Sequence, residues 1–227
     1  SGITLELHWA VSRPSDYFRL DPAGVRQRAS VITFQGGEMR VPHPADQLLH
    51  AAAQGLREGF AEARRILDAA ILLRSGAATA PGLVAQARAS NLVAALWILL
   101  RLAERLCGSP ETLPIDLEPP RWQRRSLELL DLPVVTVERQ ALGVHGMKIW
   151  IFAICAPSRG AVLRALWSTA FPGERGLLDD GHAPDALPGL SYRVGVGVRR
   201  MMLIGAVAGS MGWRMLDRTG GRNGRRK

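Results

Sequence analysis

The sequence predicts an α+β protein that is mostly helical, with short N-terminal β strands followed by a helical bundle. Three observations lead there. Within the first ten residues, Glu6 and His8 alternate with Leu5, Leu7 and Trp9, the period of two of a half-buried strand. Two β-prone runs, residues 31–34 and 39–41, flank Gln-Gly-Gly-Glu, the composition of a hairpin turn. From Leu48 onward apolar residues recur at three- and four-residue spacing, the signature of amphipathic helices. With 227 residues the chain has room for one large domain or two small ones.

The first strand opens at residue 3, and a strand needs a partner to pair with. The chain is therefore expected to be the C-terminal part of something longer. Residues 12–28 are polar and Pro-punctuated, reading as a loop with one helical turn. After the hairpin, Pro42 and Pro44 close the strand region, and Asp46 falls in a first helical turn, where a carboxylate complements the helix dipole. Leu48, Leu49, Ala52, Leu56 and Phe60 form one apolar stripe. Ala63, Ile66, Leu67, Ala70, Ile71 and Leu73 form the next, which stops near Ser75-Gly76. Residues 81–89 read as a third helix with Pro at its start. Asn91 is the expected N-cap of a fourth, residues 92–106, with Leu92, Leu96, Leu99, Ala103 and Leu106 inward and Arg101, Glu104 and Arg105 outward. Cys107-Gly-Ser-Pro110 ends it. Residues 111–120 are a Pro-rich connector and 121–132 a helix. Residues 134–137 are expected to be extended, and 148–156 fit either a strand or a buried helix. Residues 161–171 and 191–216 read as helices, and 219–227 as a disordered Gly/Arg tail. The organisation expected is a domain over 1–113, a helical extension over 114–218 and the basic tail over 219–227.

The formal charge of +9 favours acidic partners, with nucleotides, nucleic acid and anionic lipid all eligible. Lys148 and Lys227 are the only lysines, so the excess is almost wholly Arg; a GC-rich coding sequence gives the same bias without any polyanion. Nucleic acid is not expected as a partner, because no aromatic residues interleave the basic ones. Cys107 and Cys155 lack partners at metal-ligand spacing and read as buried small hydrophobes in a reducing, cytoplasmic setting. The longest apolar runs, 149–157 and 201–213, fall short of the ~20 residues a membrane span needs, so no transmembrane segment is expected.

The chain contains no Walker-type loop, no Gly-x-Ser-x-Gly elbow and no Cys-x-x-Cys pair. Gly195-Val-Gly197 lacks the third glycine of a dinucleotide fingerprint. His43, His145 and His182 stand in loop-like surroundings and read as solvated side chains. What does form a constellation is Leu-Glu-Leu-His-Trp at residues 5–9, Leu-Leu-His at 48–50 and Leu-Asp at 67–68. That order resembles the uncharacterised nucleotidyltransferase family of the DNA polymerase β superfold, over residues 3–113. A second echo is the segment from Arg164 to Phe171-Pro172.

The resemblance implies that the N-terminal strands are the remnant of a polymerase β-type mixed sheet, in which three carboxylates hold Mg²⁺. Glu6 matches the third of these and is implied to act as metal ligand or as base toward the acceptor. His8, on the same strand face, would contact phosphate or orient Glu6. His50 and Asp68 are implied to bind nucleotide, or to bond each other across the helix pair as a satisfied core link. The two other carboxylates and the Gly-rich segment are absent from the sequence, so the chain alone is expected not to catalyse. Gln54 stands where the family carries a second His, and Arg65 where it carries Trp. Arg64, Arg65 and Arg74 read as a solvated helix face. The function implied is Mg²⁺-dependent transfer of a nucleoside monophosphate from an NTP to an unknown acceptor, which leaves a nucleotide and an unknown acceptor or partner protein as partners. The alternative is a non-catalytic helical binding or assembly module derived from the same fold.

Overall fold

The computed structural model describes residues 17–76, 82–108, 117–129 and 144–170, together with Gly195, Val198, Met201, Met202 and Gly205. These residues form an α+β, mostly helical structure, with one two-stranded sheet ahead of the helices.

Where a loop with a single turn is expected, a seven-residue helix forms, α1 (Pro22–Arg28). Its cause is local. The Asp21 carboxylate accepts hydrogen bonds from the Ala23 and Gly24 amides, both at 3.0 Å, and Pro22 supplies a pre-set φ at the first helical position. Strands β1 (Ser30–Phe34) and β2 (Gly37–Val41) then pair antiparallel, with Ile32 opposite Met39 and Phe34 opposite Gly37. Gln35 and Gly36 alone make the turn, both with positive φ (51° and 80°), so Gly37 and Glu38 belong to the strand and not to the connection. Cross-strand pairing puts Ile32, Phe34 and Met39 on one face, and all three are exposed. The expected hairpin is present, but it carries none of the core.

The core begins with α2 (Pro44–Glu58), whose Leu48, Leu49, Ala52 and Leu56 are buried. His43 is the N-cap: its Nδ1 accepts the Ala45 amide at 3.3 Å, so this histidine has a structural task and is not simply solvated. The helix ends in a Schellman motif, the Gly59 and Phe60 amides donating to Leu56 and Gly55 carbonyls. Phe60, beyond the helix, folds its ring back over Gly55, where an added Cβ would lie 2.6 Å from the ring.

Helix α3 (Ala63–Arg74) buries Ile66, Ala69, Ala70 and Leu73 but leaves Leu67 and Ile71 exposed, against the expectation from spacing. Helix α4 (Leu83–Ala89) follows. Asn91 is not the cap of the next helix. It adopts φ 57° and its side-chain amide donates to the Tyr17 carbonyl at 3.1 Å, while Leu92 takes the cap position of α5 (Val93–Cys107). Residues 94–100 of α5 are all buried, because α2, α3, α4 and α6 surround it. Leu106, expected inward, is exposed near the end.

Helix α6 (Arg121–Leu129) follows Pro120, and α7 (Val144–Ile154) settles the ambiguous stretch after Lys148 as buried helix, not strand. Buried Gln123 of α6 donates to the carbonyls of Ile154 and Ala156 at 2.9 and 2.7 Å, closing the C-terminal end of α7. His145 accordingly lies in a helix, not a loop. Helix α8 (Arg159–Ala170) packs on α7. The five described positions between 195 and 205 are helical, as the spacing there predicts. Cys155 is buried and its thiol is pushed up by that burial; Cys107 is half-buried, and both are free. Among the described residues no helix is long and apolar enough to cross a membrane.

Candidate functional site

Helices α2 and α3 pack side by side, and their shared outer side, with Leu20, Val25 of α1 and Pro42, walls a groove of about 430 Å³. Helix α2 contributes Asp46, Gln47, His50 and Ala51, two i,i+4 pairs on one stripe. Helix α3 contributes Arg65, Asp68, Ile71 and Leu72, again related by three- and four-residue steps. The structure thus brings the two helix residues implicated by sequence, His50 and Asp68, to one concave surface. They are not a buried link. His50 is exposed, with its Nε2 3.3 Å from Nε2 of Gln54, one turn along. Asp68 is half-buried and pairs with Arg64 at 4.0 Å.

Asp46, one turn before His50, is the best-anchored polar group of the wall. It is 3 % exposed and receives two hydrogen bonds from Arg28, Nε to Oδ2 at 2.9 Å and Nη2 to Oδ1 at 2.7 Å. That side-chain hydrogen bond raises the Arg28 guanidinium above its ordinary value, so the guanidinium stays charged. Its effect is to tie α1 to the first turn of α2 and so hold Val25 on the groove. The sequence reading placed Asp46 in the helix but missed the groove; its four-residue step to His50 was the available signal.

Arg65 is also not part of a solvated face. Its Nε lies 3.7 Å from both Glu58 and Glu62, and its side chain is 30 % exposed. Burial pushes the Glu58 carboxyl up, with the Glu62 charge adding to it and Arg65 and Lys148 opposing it. Arg74 reaches the end of α5 and donates to the Cys107 carbonyl at 3.1 Å, a cation at a helix C-terminus. Arg64 and Arg74 are both exposed, as the solvated reading expects, and Arg65 alone departs from it.

Glu6, His8 and His182 lie outside the described residues. Among the described residues no three His, Cys, Asp or Glu side chains come together in a way that could hold a metal ion. Asp46, already gripped by Arg28, and Asp68, across the groove, do not make a Mg²⁺ site.

The family model of the uncharacterised nucleotidyltransferases matches residues 1–108, a stretch that contains α1, the hairpin, α2, α3, α4, α5 and the whole groove. Residues 1–108 are thus similar to that family. No curated protein and no solved structure matches the chain. The groove between α2 and α3 lies within the matched stretch and combines apolar walls with a few polar groups at defined positions.

Proposed function

We propose that the protein serves Mg²⁺-dependent transfer of a nucleoside monophosphate from an NTP to an acceptor. The observation that carries this reading is the family match over residues 1–108, within which His50 and Asp68 converge on one groove. In this proposal Glu6 is a metal ligand or the base toward the acceptor, His8 stands beside it on the strand, and His50 and Asp68 contact the nucleotide. The metal, when bound, would neutralise charge on the phosphates undergoing transfer. Two further carboxylates and a Gly-rich segment have to accompany this chain for catalysis. The two free cysteines support a reducing, cytoplasmic location.

A second reading has its own support. Gln54 lies against His50, and Arg65 is held between Glu58 and Glu62, at positions where the family pattern carries His and Trp. A non-catalytic helical module that binds a partner fits those exchanges. Isothermal titration of the intact gene product with each NTP, with and without Mg²⁺, separates the two. The enzymatic proposal expects saturable, Mg²⁺-dependent binding that Glu6→Gln weakens. Absence of binding at millimolar NTP rejects it in favour of the module.

A further inference from the structure

We propose that the groove between α2 and α3 takes the nucleoside end of the nucleotide, with the Asp68 carboxylate accepting hydrogen bonds from the ribose hydroxyls and the triphosphate lying outside the groove. This rests on the nucleotidyltransferase reading and adds to it which part of the ligand the groove holds.

The walls decide against phosphate. Asp68 is a lining carboxylate that repels a polyanion brought within a few ångströms, and the guanidinium beside Asp46, that of Arg28, is already taken up by that carboxylate. Arg65 is the one lining cation among the described residues, and it already faces Glu58 and Glu62 at 3.7 Å each. The N-terminus of α2 opens on the same side but offers no anion cradle. Pro44 has no amide hydrogen, His43 Nδ1 takes the Ala45 amide, and the His43 carbonyl takes that of Gln47 at 3.1 Å.

The same walls suit a neutral, flat, hydroxyl-bearing group. Leu20, Val25, Pro42, Ile71 and Leu72 supply aliphatic surface, and Ile71 is 56 % exposed although it points along a groove wall. A base lying on Ile71 and Leu72 would cover that surface. Among the described residues Asp68 is held only by a 4.0 Å pairing to Arg64, whose side chain is 84 % exposed, so water screens the pair and a vicinal diol can displace it. A carboxylate accepts two such donors at once. Asp46, saturated by Arg28, keeps the wall rigid, and His50 stands at the rim within reach of either the sugar or the base. A volume of about 430 Å³ is inside the usual range for a small-molecule site.

The test uses the intact gene product with Mg²⁺, titrated with ATP, GTP, CTP and UTP, and then, for whichever binds best, with its nucleoside, its 2′,3′-dideoxy triphosphate and inorganic tripolyphosphate. The His50 ring resonances are followed by NMR. The expected result is that Asp68→Asn and Ile71→Ser each weaken NTP binding at least about tenfold. Removing the two ribose hydroxyls should weaken it by a similar factor in the wild type but not in Asp68→Asn. The nucleoside should move the His50 resonances and tripolyphosphate should not. Unchanged NTP affinity in both variants, or His50 resonances that move with tripolyphosphate alone, overturns the assignment of the groove while leaving the enzymatic reading standing. No binding of any NTP to the wild type overturns both.

Discussion

At the residue scale, the pairing of Arg28 with Asp46 shows how much depends on a single charge. Asp46 is almost fully buried, whereas the Arg28 side chain is 38 % exposed, so truncating the arginine leaves a carboxylate without its partner in a dry place. Arg28→Ala is therefore expected to destabilise the protein by about 2 kcal/mol, read from the shift in urea midpoint at constant slope. Replacing both members with apolar residues should restore most of that loss; if it does not, the pair does more than compensate its own burial. Glu58 gives a pH prediction. Its carboxyl is raised by burial and by Glu62, so the folded state binds a proton more tightly than the unfolded one. Stability from this group is then greatest below the ordinary carboxylate value and falls as pH rises from there through the raised folded value. Glu58→Gln should flatten that decline in thermal unfolding recorded between about pH 4 and 7. An unchanged pH profile would show that Arg65 and Lys148 fully offset the burial. His50 and Asp68 were legible as residues, through Leu-Leu-His and Leu-Asp, but their relation was not. Sequence spacing gives the face of each helix; it does not say how far one helix stands rotated against the next.

At the scale of elements, helix ends and turns were the least legible parts. The turn of the hairpin is two residues and not four, because Gln35 tolerates the left-handed region and lets Gly37 join the ladder. The fourth predicted helix begins later than Asn91 suggested, since that side chain serves the Tyr17 carbonyl instead of a helix amide. The end of α2 has a clearer logic. Gly55 has no Cβ, and that lets the Phe60 ring close over the last turn of α2. Gly55→Ala is expected to cost about 1–3 kcal/mol in chemical denaturation, as overpacking forces the ring aside. Ile32 and Phe34 offer the contrast. They are apolar and in a strand, yet exposed, and the hairpin's principal contacts are within itself. Ile32→Thr and Phe34→Thr should each change stability by less than about 0.5 kcal/mol. A loss comparable to that of a core truncation would mean the face is covered in solution.

At the scale of the whole molecule, α5 is the axis around which α2, α3, α4 and α6 pack. Leu96 and Leu99 are fully buried on it, and truncation of either to Ala is expected to cost about 2–5 kcal/mol, measured by urea unfolding. Both should also weaken any ligand held between α2 and α3, because those two helices rest on α5 and keep their mutual angle through it. The mostly helical class, the apolar stripes of α2 and α5, the free cysteines and the family resemblance were all written in the linear sequence. Each depends on local periodicity or on short runs of neighbouring residues, which the chain states directly. What only the folded arrangement decided was which stripe residues face a neighbour and which face a groove. Leu67 and Ile71 have the spacing of core residues yet stay exposed, and Arg65 has the composition of a solvated face yet lies between two glutamates. Those outcomes follow from how α2 and α3 are rotated and packed against α5, a balance of contacts far apart in sequence that no local pattern encodes.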